Sequence, residues 1–188
     1  MIFITTLFIN ATSRDDSRTL ILAKEVLLKI GGEINEIKLY DLDLKPFNNE
    51  MVNKRFSLAK EGKFDDDIFR FAREFKEADN IVIAAPVWDL SFPSILKNYF
   101  EYVSATGVIF KYTENGPVGM ANAKRLIYVT TSGGNIILDF GFKYVEALAK
   151  VMYGINDVKC FYASGLDVWG ADVESIINTT LDEIDNYF

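Results

Sequence analysis

Three short stretches hold the residues best suited to chemistry. In "NATSRDDSRTL" (residues 10–20), Ser17 and Thr19 place hydroxyls where a helix begins, with Arg14 and Arg18 beside them. Unpaired N–H groups and the positive end of the helix dipole make such a start a natural seat for phosphate. The two guanidinium groups would add charge-assisted hydrogen bonds. Asp15 and Asp16 oppose this unless they face solvent, and Ser17 acting only as a helix cap explains the hydroxyls equally well. In "APVWDLSFP" (residues 85–93), Val87, Trp88 and Leu90 suit packing against a flat ring, with backbone groups between them to meet its polar edge. An ordinary hydrophobic loop is the alternative. In "TTSGGN" (residues 130–135), Gly133 and Gly134 let the backbone approach a ligand and offer N–H donors, although a plain turn would use the same residues. None of these stretches carries GxGxxG or a GxxxxGK(S/T) loop, so neither a dinucleotide fingerprint nor a P-loop is supported.

Composition removes other chemistries. The chain has no histidine, which excludes Ser-His and Cys-His pairs and histidine metal sites. Its one cysteine, Cys160, excludes an intrachain disulfide and a Cys-rich metal site, and a chain without bridges fits a reducing cytoplasm. A net charge of −7 without a basic block argues against nucleic acid. The opening "MIFITTLFI" is apolar but lacks a basic leader and is too short to span a bilayer, so it is read as a buried first strand and no membrane association is expected.

The elements that must position the three stretches follow from periodicity. Residues 2–9, 33–42, 81–85, 127–131 and 158–163 read as strands. Residues 17–30, 50–61, 65–78, 93–104, 139–152 and 173–187 read as helices, the first ended by Gly31 and Gly32. Residues 108–111 add a short extended piece before a "TENGPVG" turn. Apolar strands alternating with helices argue for one α/β domain over residues 1–188: a doubly wound, flavodoxin-like five-stranded parallel sheet of order 2-1-3-4-5 with helices on both faces. In that arrangement ligands bind beyond the carboxyl ends of the strands, at the switch between strands 1 and 3. All three stretches fall at that end of the sheet.

Two segments are similar to a known family. "AAPVWDLSFPSILKNYFEYV" and "GVIFKYTENGPVG" resemble the AAPMYNF…QLKNYFD and GxTFxYTENGPxG segments of the FMN-dependent NADH:quinone oxidoreductases, or azoreductases, of the flavodoxin-like superfamily. The likeness extends over nearly the whole chain. It implies that the first loop binds the flavin phosphate through Ser17, Arg18 and Thr19. It further implies that the strand-3 loop binds the flavin through Pro86, Val87, Trp88, Asp89 and Leu90, and the strand-4 loop through Thr131, Ser132, Gly133 and Gly134. Tyr112 falls where the family has an aromatic residue near the substrate. The implied function is reduction of quinones by NADH, or by NADPH, through FMN, with azo or nitro aromatics as further acceptors, in a homodimer. No residue is required as a catalytic acid or base, because the flavin carries the chemistry.

The chain also departs from the pattern. Asp89 stands where the family commonly has Asn, and a carboxylate about 6 Å from the flavin at an effective dielectric of about 20 would lower its two-electron potential by about 60 mV. The segment after Gly134 is shorter than usual. Two other readings stay open at this stage: a flavodoxin-type electron carrier, and an interaction module that keeps the fold without the flavin.

Overall fold

The computed structural model describes residues 4–135 and 140–188. The expected starts of the first strand at Ile2 and of the fifth helix at Asp139 lie outside the described residues. The main sheet is parallel and holds β1 (Thr5–Asn10), β2 (Glu33–Lys38), β3 (Asn80–Ala84), β6 (Arg125–Thr131) and β7 (Asp157–Ala163) in the order β2-β1-β3-β6-β7. This is the expected order, with a hairpin, β4 (Phe110–Thr113) and β5 (Gly116–Gly119), inserted between its third and fourth strands.

Side-chain alternation along the central strands builds two cores. Leu7 and Ile9 of β1, Ile81 and Ile83 of β3, and Leu126 and Tyr128 of β6 face one way. They pack against α3 (Arg70–Glu77), α4 (Ser94–Val103) and α5 (Phe140–Ala147). Phe8, Val82, Ala84, Ile127, Val129 and Phe161 face the other way, against α1 (Arg18–Ile30) and α6 (Val173–Tyr187). Strands buried on both faces leave no polar face, which is why they read as continuous apolar runs. The remaining helix, α2 (Asn49–Lys60), buries no residue.

Four local readings are corrected. The second strand stops at Lys38 rather than residue 42, because its partner β1 ends opposite it at Asn10. A 3-10 turn, Leu39–Asp41, then drives Leu39 into the core. The helix expected over 65–78 begins as a 3-10 turn, Asp67–Phe69, with Asp66 accepting from the Ile68 N–H at 3.0 Å. The "TENGPVG" turn is itself half strand: Gly116–Gly119 pairs antiparallel with Phe110–Thr113, and only Glu114 and Asn115 form the loop. Thr113 Oγ1 closes that loop on the Gly116 carbonyl at 2.8 Å. Finally, α5 continues as a π-helical turn, Leu148–Tyr153, that ends on left-handed Gly154.

The hairpin is pressed onto this π turn. A Cβ at Gly119 would fall 2.0 Å from the Tyr153 carbonyl carbon and 2.1 Å from the Gly154 nitrogen. Only a residue without a side chain admits that approach. Gly119→Ala is therefore expected to destabilise the protein by about 3 kcal/mol, lowering Tm by roughly 6–12 °C. Gly134→Ala, which meets nothing within 4 Å, is the control in the same thermal melt and should change Tm little.

Candidate functional site

Leaving β1, the chain is held by Asn10, whose Oδ1 accepts from the Thr12 N–H at 3.0 Å and from its hydroxyl at 2.7 Å. It then turns into α1 with Ser17 at the N-cap position. The Ser17 side chain makes no capping hydrogen bond, so simple capping does not account for its hydroxyl. Thr19 is fully buried, and its hydroxyl lies 2.6 Å from that of Thr131, tying the start of α1 to the end of β6. Arg18 reaches across to Asp167 at 2.9 Å. Asp15 and Asp16 are exposed, and Asp16 lies 3.8 Å from Arg14 Nε.

Past Ala84, pairing with β6 continues beyond the named strand. Ala85 N–H donates to Val129 O at 3.0 Å and Val87 N–H to Thr131 O at 2.8 Å. Alternate residues turn their N–H groups away from β6, and the pairing of β1 with β3 ends at the Asn10–Ala84 pair. Pro86 thus occupies a position where no ladder donor is needed. The loop then folds back in a tight turn, with Trp88 and Ser91 exchanging N–H···O bonds of 2.9 Å each way. Asp89 (φ 50°) and Leu90 (φ 65°) at its tip are the non-glycine residues with positive φ among those described. Such a turn prefers Asn, Asp or Gly, so Asp89 suits it and Leu90 does not. Trp88 stands near Tyr40, ring centroids 6.4 Å apart. Burial pushes the Tyr40 phenol above its ordinary pKa.

After β6, the Ser132 hydroxyl donates to the Gly134 carbonyl at 2.6 Å and lies 2.7 Å from the Tyr162 hydroxyl. The loop after β7 runs alongside: Leu166 N–H donates to Ser132 O at 3.1 Å and Asp167 N–H to Gly133 O at 2.8 Å. A fourth segment thereby joins the three expected ones.

Together these segments enclose a cavity of about 500 Å³ at the carboxyl end of the sheet, within the size range of small-molecule sites. Of the residues named from sequence, Ser17, Arg18, Thr19, Pro86, Val87, Trp88, Thr131, Ser132 and Gly133 line it. Arg14 lines it as well. Asp89, Leu90 and Gly134 do not: the first two sit on the exposed turn beyond Trp88. Tyr112, 67% exposed on the hairpin against Phe110, is not among the lining residues either. Ser13, Leu166 and Asp167 complete the lining and were not foreseen. The last two enter through the β6–β7 register, whose only trace in the sequence is a further loop at the same end of the sheet.

One end of the cavity offers the helix N-terminus, hydroxyls and guanidinium groups; Pro86, Val87 and Trp88 contribute an apolar wall. A ligand with an anionic tail and a flat aromatic body fits that division. No group of three acidic or cysteine side chains able to hold a metal ion occurs among the described residues.

Comparison with known proteins agrees with this geometry. A family model described as flavodoxin-like fold matches residues 5–188. A Coprothermobacter proteolyticus protein named FMN-dependent NADH:quinone oxidoreductase is 33% identical over 185 residues, covering 93% of this chain and 92% of that protein. FMN-dependent NADH:quinone oxidoreductase 2 of Clostridium acetobutylicum is 36% identical over 161 residues, 82% of this chain and 80% of that one. Among solved structures, an FMN-dependent NADH-azoreductase from Bacillus anthracis in complex with FMN shares the fold, with a TM-score of 0.83 at 24% identity over 98% of this chain and 97% of that one. The chain belongs to the family of flavodoxin-like fold, and within it to the FMN-dependent NADH:quinone oxidoreductases.

The turn at Asp89 and Leu90 yields a test of local strain. A side chain in the left-handed region costs about 1–2 kcal/mol, and Leu90 is mostly exposed, so little packing is lost on removing it. Leu90→Gly is expected to stabilise the protein by about 1 kcal/mol in urea unfolding; a loss of stability would show that Leu90 packs usefully despite its exposure.

Proposed function

We propose that the chain is an FMN-dependent oxidoreductase that draws electrons from NADH, in preference to NADPH, and reduces quinones in two-electron steps, with azo and nitro aromatics as secondary acceptors. One observation carries this: the N-terminus of α1, with Ser17, Arg18 and Thr19, and the apolar wall of Pro86, Val87 and Trp88 meet around one cavity. When bound there, FMN supplies the redox chemistry. The residues of the chain hold and orient it. The helix N-terminus, the Ser17 hydroxyl and Arg18 receive the phosphate. Thr131, Ser132 and Gly133 would border the bound cofactor, and Trp88 with Val87 would shield it from water along the apolar wall. With no histidine in the chain, the protein contributes binding and orientation rather than acid–base groups.

A flavin-free interaction module would be favoured by acidic side chains that repel an anionic cofactor, and Asp15, Asp16 and Asp89 are the candidates. All three are exposed, and none lines the cavity, so they present no obstacle to an anionic ligand there. A pure electron carrier would not need the hairpin that carries Tyr112. The names of the two relatives at 33% and 36% identity support the reductase reading. The reading extends to a single domain over residues 1–188 working as a homodimer in the cytoplasm on small aromatic acceptors. In it, Tyr112 contacts substrate, and Asp89, Leu90 and Gly134 approach the flavin through their backbones. No helix among the described residues is long and apolar enough to cross a membrane.

Protein incubated with FMN, desalted and mixed anaerobically with NADH is expected to retain a flavin spectrum that bleaches on mixing. Colourless protein after desalting would overturn the reading. Asp89→Asn is expected to raise the flavin midpoint potential. Because Asp89 is exposed, water screens its carboxylate: at about 6 Å and a dielectric of about 80, the shift is about 15 mV rather than about 60 mV. A spectroelectrochemical titration of both proteins checks it.

A further inference from the structure

Asp167 lines the cavity without a role in the flavin reading, on which the role drawn for it here rests. Its carboxylate meets Arg18 Nη1 at 2.9 Å, and both residues line the cavity. Its backbone N–H is fixed on the Gly133 carbonyl at 2.8 Å, and its side chain lies directly over Gly133. A Cβ built on Gly133 would fall 2.4 Å from Asp167 Oδ2 and 3.2 Å from Asp167 Cβ. Gly133 does not have the positive φ that would demand glycine. The Asp167 side chain instead occupies the place where a Cβ on Gly133 would stand. The ion pair and the Asp167 N–H bond to Gly133 together join three of the segments that wall the cavity: the start of α1, the loop after β6 and the loop after β7.

Arg18 and Asp167 are 42% and 71% exposed at their side chains. A pair this wet contributes little to the stability of the fold, so its value lies in what it does to Arg18. A free arginine loses rotamer freedom when it clamps a phosphate. Held by Asp167, Arg18 has given up part of that freedom before the ligand arrives. The contact uses Nη1, and among the described residues Nε and Nη2 have no other hydrogen-bond partner. The guanidinium keeps donors to spare.

We propose that Asp167 is a positioning residue that holds the Arg18 guanidinium at the cavity wall so that its remaining donors meet a phosphate monoester at the N-terminus of α1, and that Gly133 is glycine in order to admit it. The opposing effect is simple repulsion between the carboxylate and the phosphate, which has the opposite sign. The two are separable, because Asn keeps an acceptor for Arg18 while removing the charge.

The test is the affinity of the full-length apoprotein for FMN and for riboflavin, which lacks the phosphate, titrated by flavin fluorescence. Asp167→Ala should weaken FMN binding about tenfold and leave riboflavin binding within about twofold. Asp167→Asn should retain FMN affinity within about threefold. Gly133→Ala should reproduce the loss seen in Asp167→Ala, and the double variant should be no weaker than either single one. Tighter FMN binding by both Asp167 variants would overturn the proposal in favour of repulsion. Equal losses for FMN and riboflavin would overturn it in favour of a general disturbance of the loop. Should Asp167→Ala fail to fold, Asp167→Asn and Gly133→Ala still decide between these outcomes. Wild-type protein that binds neither flavin would remove the flavin reading itself, and a defect confined to the variants would leave that reading standing.

Discussion

The site depends on backbone pairing that outlasts the strands. β3 and β6 go on exchanging hydrogen bonds through Ala85 and Val87. Beyond β7, the Leu166 and Asp167 N–H groups find the carbonyls of Ser132 and Gly133. A loop at the edge of a sheet would ordinarily satisfy these groups with water and move. Here they are satisfied by each other, so the segments that wall the cavity inherit the geometry of the sheet. The buried Thr19–Thr131 hydroxyl contact ties α1 to the same frame. Its low exposure makes it costly to leave either hydroxyl unpaired, and this fixes where the helix N-terminus points.

Much of this architecture was legible because parallel strands covered on both faces carry a strong, redundant signal. Runs such as "IVIAA" leave little alternative, and the sheet order follows from strand number and handed crossovers. Legibility failed where the deciding partner is distant. "GPVG" consists of turn residues, and only its pairing with Phe110–Thr113 makes it a strand. β2 stops where β1 runs out, a limit that no residue in 39–42 announces. The π turn at Leu148–Tyr153 follows a pattern that reads as continuous helix.

The candidate site divides in the same way. Ser17, Arg18 and the Pro86–Trp88 segment carry local chemistry that a reader can recognise. Thr19 also lines the cavity, but its hydroxyl is already engaged by Thr131, and the sequence gives no sign that this side chain is spent on the scaffold. Asp167 is the converse case: an acidic residue in a loop with nothing local to distinguish it, placed by the β6–β7 register beside an arginine 149 positions away. Leu90 shows a third relation. The reciprocal Trp88–Ser91 bonds hold it in a conformation its side chain disfavours, so local preference and fold disagree at the lip of the cavity, where such disagreement is commonly found.

The two tryptophans of this chain sit on the loops rather than in the cores. Trp88 is in the cavity wall. Trp169, 99% exposed, lies two residues beyond Asp167. The largest fully buried rings are tyrosines and phenylalanines. Indole emission from this protein therefore reports on the loops at the carboxyl end of the sheet, and the interior is nearly silent at those wavelengths. During denaturation, a fluorescence trace would follow the loosening of the loops while far-UV circular dichroism followed the sheet and helices. Any gap between the two curves would measure how much less firmly the rim is held than the frame beneath it.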